Sequence, residues 1–236
     1  MKNEVISIDG PSGSGKTSVG KLLAKTLEAK FISSGNLYRT IANGLLDLKT
    51  SDIFFSKNTS WEDIYNQLAT KNLSVSIAKF NTEEALIEVN QKVTNSNQKQ
   101  NVDTKNNYSA EITDLSSRIS QFSNIRTCVN VYLKDYVSQH LLTVVEGRDI
   151  GSVVFKDAKL KIYIDSPLEL RAKRRLTQSS NEEGIKDMIR RDTSDSKREN
   201  SPLIIPDGSI IIVNEKQSID EIVEIILQEY RDLEGN

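Results

Sequence analysis

Residues 10–17 read Gly-Pro-Ser-Gly-Ser-Gly-Lys-Thr and follow directly on the apolar run Val5–Ile8. No other stretch constrains the fold as tightly. The eight residues fit G-x-x-x-x-G-K-[ST], in which glycines let the backbone curl until several N–H groups point at one anion. Such a loop works between a buried strand and the N-terminus of a helix, whose partial positive charge adds to that of the amides. Both flanks are present. Val5–Ile8 reads as a buried parallel strand closed by Asp9. Val19, Leu22, Leu23, Thr26 and Leu27 share one helical face behind the loop. Gly10, Pro11, Ser12, Gly13, Ser14, Gly15, Lys16 and Thr17 are therefore the expected triphosphate cradle. Lys16 is expected at the β- and γ-phosphates, and the Thr17 hydroxyl on Mg²⁺. Asp9 either orients Lys16, stands behind the metal, or meets a purely structural partner.

The rest of the chain alternates strand and helix. Lys30–Ser33 reads as a second strand, and residues 36–48 as a helix carrying Leu37, Ile41 and Leu45. From Ser51 to Asn107 the character changes to Asn, Lys, Gln, Ser and Thr. Leu73–Ile77 alternates like a small strand, while 94–107 has almost no apolar residue and reads as a flexible loop. Residues 109–139 return to helical spacing as two helices. Strands follow at Leu141–Val145, at Leu160, Ile162 and Ile164, and at Ser209–Val213. Charged helices are expected over 167–178 and 183–194. Ser218 and Glu221 make a capping box for a final helix. This order predicts a three-layer α/β fold on a parallel sheet. The 236 residues suit one large domain with an inserted lobe.

Composition narrows the partners. A net charge of -2 offers no global basic field for long nucleic-acid tracks. No apolar run is long enough to span a bilayer. Val5 enters a strand too early for a signal peptide. The single cysteine, Cys128, rules out an internal disulfide and reads as a packing residue. Cytoplasmic location, no membrane or nucleic-acid partner, and a monomer by default are the resulting expectations. The single histidine, His140, reads as a helix-end residue.

The cradle alone leaves the reaction open. A GTPase switch would need a guanine-reading N-K-x-D segment, and the chain has no Asn-Lys dipeptide. What it has is arginines after secondary elements: Arg39 in SSGNLYR, Arg148 with Asp149 after Glu146-Gly147, Arg126, and Arg190, Arg191 and Arg198 around Asp192 and Asp195. Residues 171–200 hold nine Lys/Arg against six Asp/Glu. Guanidinium forks bind phosphate oxygens in pairs, so arginines gathered at one crevice suit two phosphate groups brought face to face. Lys173, Arg174 and Arg175 read as an ordinary solvated helix face or as serving a general electrostatic role.

ISIDGPSGSGKT, SSGNLYR, VVEGRDIGSVVF and RRDTSDSKRENSPL together resemble the bacterial-type cytidylate kinases, in the same order and at compatible spacing. The resemblance covers roughly 4–48 and 110–228. It implies a five-stranded parallel CORE (about 1–50 and 110–236), an inserted NMP-binding lobe (about 51–109) and a LID (about 178–200). It implies transfer from ATP to CMP or dCMP with Mg²⁺. Ser34 and Arg39 would hold the acceptor nucleotide. Ser117, Arg126 and Asp149 would read the cytosine ring. Arg148 would lie beside the acceptor phosphate, and Arg191, Asp195 and Arg198 would act from the LID side. Asn36 and Ser194 depart from the family pattern, and 62–108 barely matches it.

A nucleoside monophosphate asks for little base catalysis, because its second phosphate ionises near pH ~6. A hydroxyl acceptor would want a base, and Asp9 or Asp149 could serve. Small-metabolite kinases therefore stay open as an alternative, as does a nucleotide-dependent binding module.

Overall fold

The computed structural model describes residues 3–50, 66, 73–80, 84–91, 96–104, 108–178, 189, 192–193, 195–198 and 201–235. The chain divides into two compact units, Met1–Ser34 with Leu133–Asn236, and Gly35–Tyr132.

The first unit is built on a parallel sheet of β1 (Glu4–Asp9), β2 (Lys30–Ser33), β6 (Leu142–Glu146), β7 (Leu160–Asp165) and β8 (Ile210–Val213). Its order is β2-β6-β1-β7-β8, and each neighbouring pair runs parallel. The five strands are the five expected. Parallel strands covered on both faces read as largely apolar runs, as Val5–Ile8 does, whereas the edge strand Ile210–Val213 is apolar although Ile211 and Val213 are exposed. Ile6 and Ile8 of β1 point into a core shared with Val19 and Leu23 of α1 (Lys16–Thr26) and with Ile222 and Ile226 of the C-terminal helix Ile219–Glu234. That helix opens with the expected capping box, Ser218 with Glu221. Lys159, leading into β7, donates to Glu4 Oε1 at 2.8 Å, is bonded to Glu234, and stands 5.0 Å from the Tyr230 ring centroid.

The second unit holds most of α2 (Ser34–Thr50), a three-stranded antiparallel sheet of β3 (Leu73–Phe80), β4 (Glu84–Gln91) and β5 (Ser96–Asp103), and α3 (Ala110–Ile119). The boundary falls inside α4 (Ser123–Ser138). Ala85, Ile87 and Val89 of β4 are buried at every second residue, the period of a sheet with one wet face. Ile87 and Val102 press on α2 at Gly44, where an added Cβ would stand 2.1 Å from Ile87 Cδ1.

Strand β5 corrects the expectation of a loop over 94–107. Its ladder to β4 runs unbroken from Glu84↔Asp103 to Gln91↔Ser96. An edge strand needs only backbone pairing and an occasional apolar anchor. Val102 is that anchor, 1% exposed, while Lys99 lies outward and pairs with Glu88 at 2.9 Å. A second correction lies after β6, where Ile150–Val154 forms a π-helical turn that periodicity does not reveal. The helix α5 (Leu168–Gln178) stands where expected. The helix expected over 183–194 lies largely outside the described residues. Among the described residues no helix is long and apolar enough to cross a membrane.

Candidate active site

The loop after β1 fits tightly into its surroundings. Gly10 has φ 145°, and a Cβ there would stand 2.0 Å from the Ile164 carbonyl oxygen, so no side chain fits. Two of the loop's carbonyls are engaged from outside it. Arg171 donates through Nη1 to Ser12 O at 3.1 Å, and Asn214 through Nδ2 to Ser14 O at 2.9 Å. A trans peptide sets its N–H opposite its C=O. The amides of Gly13 and Gly15 are thereby turned away from these donors, as an anion cradle requires.

Lys16 is buried and folded back on the loop, donating to Pro11 O at 2.6 Å. Burial, and next the nearby charge of Arg148, push its ammonium down to about 7, while Glu146, Asp9 and Asp195 act the other way. Thr17 Oγ1 donates to Glu146 Oε2 at 3.0 Å. This bond occupies the hydroxyl's proton and leaves its oxygen able to face a hard cation. Among the described residues no group of three or more His, Cys, Asp or Glu could hold a metal. One hydroxyl backed by a carboxylate suits Mg²⁺, which takes most of its ligands from water and phosphate.

Asp9 has the structural partner left open above. Its Oδ1 accepts from the Ile150 amide at 2.8 Å and its Oδ2 from the Gly151 amide at 2.7 Å. Burial pushes its carboxyl up to about 6 in spite of these two bonds.

Arg148, Asp195 and Arg198 come together. Arg148 Nε donates to Asp195 Oδ2 at 3.1 Å, and Arg198 is bonded to Asp195 Oδ1. One carboxylate thus holds two guanidinium groups. Burial works against the charge of Arg148, but Asp195 and Glu146 outweigh it and raise its pKa. Asp149 is buried in the same unit, at the entry to the π-helical turn, and Ser34 is buried at the start of α2.

Sequence patterns of the family decide the assignment. The cytidylate kinase family profile matches residues 6–232. The chain belongs to the cytidylate kinase family. It is 32% identical to a cytidylate kinase of Chlamydia muridarum, over 94% of this chain and 96% of that protein. It is also 32% identical to a bifunctional pantoate ligase/cytidylate kinase of Prochlorococcus marinus, over 98% of this chain but 43% of that protein, so the chain spans less than half the length of such relatives. An uncharacterized protein from Eubacterium ventriosum shares the fold, with a TM-score of 0.52, 13% identity, and coverage of 98% of this chain and 99% of that one.

Of the remaining family-derived residues, Arg39, Ser117 and Arg126 lie in the second unit. Arg39 lies over the Tyr108 ring, with Cζ 4.9 Å from the centroid, and Arg126 lies 5.9 Å from the Tyr38 ring centroid. Both distances suit cation–π contact. Buried Arg126 also donates to Ser120 O at 3.1 Å, and Ser117 is half-buried on α3. Arg191 lies outside the described residues.

Sequence reading missed the outer brace of the cradle. Arg171 is buried and donates to Ser166 O at 2.8 Å and to Asp192 Oδ2 at 2.5 Å besides Ser12 O. Arg174, taken for a solvated residue, donates to Ser166 Oγ and to Asn214 Oδ1, each at 3.1 Å. Lys173 between them is exposed, as expected. The signal was available in part, because arginines at i and i+3 share one helix face. Nothing local marks Asn214 at the end of β8.

Proposed function

We propose that this chain transfers the terminal phosphoryl group of ATP to CMP or dCMP, giving ADP and CDP or dCDP. The observation that carries the reading is that the buried ammonium of Lys16 lies within reach of the charge of the half-buried Arg148, which helps to push its pKa down. Two like charges held close, one of them out of water, are costly unless an anion comes to lie between them. A transferring phosphoryl group is such an anion.

In this reading the Gly10–Thr17 loop seats the ATP phosphates, and Lys16 takes the β- and γ-oxygens. A bound polyanion acts on Lys16 against the burial that lowers its pKa. Thr17, backed by Glu146, would hold Mg²⁺, which when bound neutralises charge on the phosphates. Arg148 and Arg198, fixed by Asp195, steady the charge on the acceptor side, and Arg191 is assigned to the same task. Asp195 and Arg198 also reach the acceptor's sugar and base. Ser34 and Arg39 would hold CMP, and Ser117, Arg126 and Asp149 would read its ring. The lobe (about 51–109) and the LID (about 178–200) would exclude water, the competing acceptor. The chain would act as a cytoplasmic monomer on small nucleotides.

The alternative of a hydroxyl acceptor needs a positioned base. Asp9 is poorly suited, because each of its oxygens already accepts a backbone N–H. A monophosphate brings its own ionised nucleophile near neutral pH. Position and charge neutralisation are then sufficient.

ADP formation from ATP and Mg²⁺ tests the reading, with CMP, dCMP, UMP, AMP, GMP and dTMP offered separately. Rapid turnover is expected chiefly with CMP and dCMP. No acceleration by any monophosphate, with ATP still bound, would overturn it and point to a hydroxyl-bearing metabolite.

A further inference from the structure

We propose that Asp9 is a positioning residue for the phosphoryl acceptor: its side chain fixes the turn that presents Arg148, while its backbone opens the triphosphate cradle. The inference rests on the functional reading above, in which Arg148 meets the acceptor phosphate.

The geometry starts at the sheet. Strands β1 and β6 pair with Ile8 opposite Glu146, and the Gly147 amide donates to Ile8 O at 3.0 Å. There the regular ladder ends. Arg148 and Asp149 follow, and then the π-helical turn, closed by Phe155 N–H to Ile150 O at 2.7 Å and Val154 N–H to Asp149 O at 3.2 Å. The first amides of any helix lack partners within it. Asp9 supplies them from another strand, one oxygen to Ile150 and one to Gly151. A carboxylate is the smallest side chain that can accept two such bonds without offering a proton to either.

The turn is also pressed onto β1 from the other side. A Cβ on Gly151 would stand 2.7 Å from Ser7 Oγ, 3.1 Å from Pro206 Cγ and 3.3 Å from Asp9 Oδ2. Arg148 lies two residues before the first tethered amide, and its guanidinium continues to Asp195. The tether therefore fixes the backbone from which Arg148 projects. Gly10, the first residue of the cradle, is covalently joined to Asp9. One residue thus sets the spacing between the seat of the donor phosphates and the arginine assigned to the acceptor. The charged groups facing Asp9 are Asp149 and Lys16.

The test is Asp9→Asn, which keeps the shape but can accept from only one amide and turns an NH₂ towards the other. Loss of one charge-assisted bond leads us to expect kcat/KM for CMP to fall about ten- to hundredfold. The Kd for ATP, measured by calorimetry without acceptor, should move by no more than about threefold. Amide hydrogen exchange reads the tether without any substrate: Ile150 and Gly151 should lose protection, while the helix amides behind Lys16 keep theirs. If Asp9→Asn does not fold, Gly151→Ala strains the same contact with the carboxylate intact, and the same acceptor-selective loss is expected. A loss of ATP affinity as large as the loss in kcat/KM for CMP would overturn the proposal, and so would unchanged kinetics with exchange at 150 and 151 accelerated. Wild-type protein that turns over no monophosphate would fail the functional reading instead. The tether would then stand or fall on exchange alone.

Discussion

In the five-stranded sheet the central strands β1 and β6 are buried almost end to end; in the three-stranded sheet burial alternates along β4, and among the described side chains of β5 only Val102 is deeply buried. The two regions also hold their functional groups differently. Around the cradle, guanidinium and amide donors are tied to backbone carbonyls and to carboxylates, with Arg171, Arg174 and Asn214 bracing the loop. In the second unit Arg39 and Arg126 also lie against tyrosine rings, and Arg126 donates to Ser120 O as well. Hydrogen bonds to backbone set an atom within tenths of an ångström, whereas a cation over a ring can slide. The contrast sets a loop braced by hydrogen bonds from several side chains beside arginines that make ring contacts too.

The largest test of this contrast is Lys16→Ala. It removes the buried cation of the rigid cradle, and kcat should fall by about 10²–10³-fold, as for the loss of one preorganised electrostatic group. The second unit should be unaffected, so binding of CMP alone, followed by calorimetry, should hold. A parallel loss of CMP binding would mean that the two regions are not separable in this way.

A smaller effect comes from the cores. Ile162 and Ile87 are each fully buried, the first in the parallel sheet and the second in the antiparallel one. Truncation to alanine should cost about 2–5 kcal/mol at either site. In scanning calorimetry Ile162→Ala should shift the transition that carries the parallel sheet, and Ile87→Ala the other. A single transition shifted alike by both would make the chain one cooperative block.

The smallest concerns Cys128. Burial, the largest cause, pushes its thiol up to about 11, with a backbone bond to Ile77 acting weakly the other way. The thiolate is the reactive form, so at pH 8 alkylation of native protein should lag far behind that of the unfolded chain, and it should quicken as pH rises towards 11. Fast native labelling would show that this part of the second unit opens readily.

How far the sequence disclosed these features follows from the same difference between the sheets. All five parallel strands were legible because each carries an apolar run that local reading finds, the central ones because both faces are covered. The cradle was legible because its spacing is dictated by phosphate geometry. Strand β5 was not, because an edge strand with one wet face needs few apolar residues and its pairing is made by backbone atoms. The π-helical turn escaped because five residues carry no period. The partners of Asp9 escaped because hydrogen bonds across 141 and 142 residues leave no local trace. Ser117, Arg126 and Asp149 came from family resemblance, since no spacing specifies a pyrimidine.

Lys159 gathers Glu4 near one end of the chain and Glu234 near the other onto a single ammonium. The first strand and the last helix are therefore neighbours on the sheet unit. A short glycine–serine bridge could join the segments before Glu4 and after Glu234 there. The chain could then be reopened at an exposed loop tip as a circular permutant. In that form the cradle would be an interior segment of the polypeptide, with the same five strands around it.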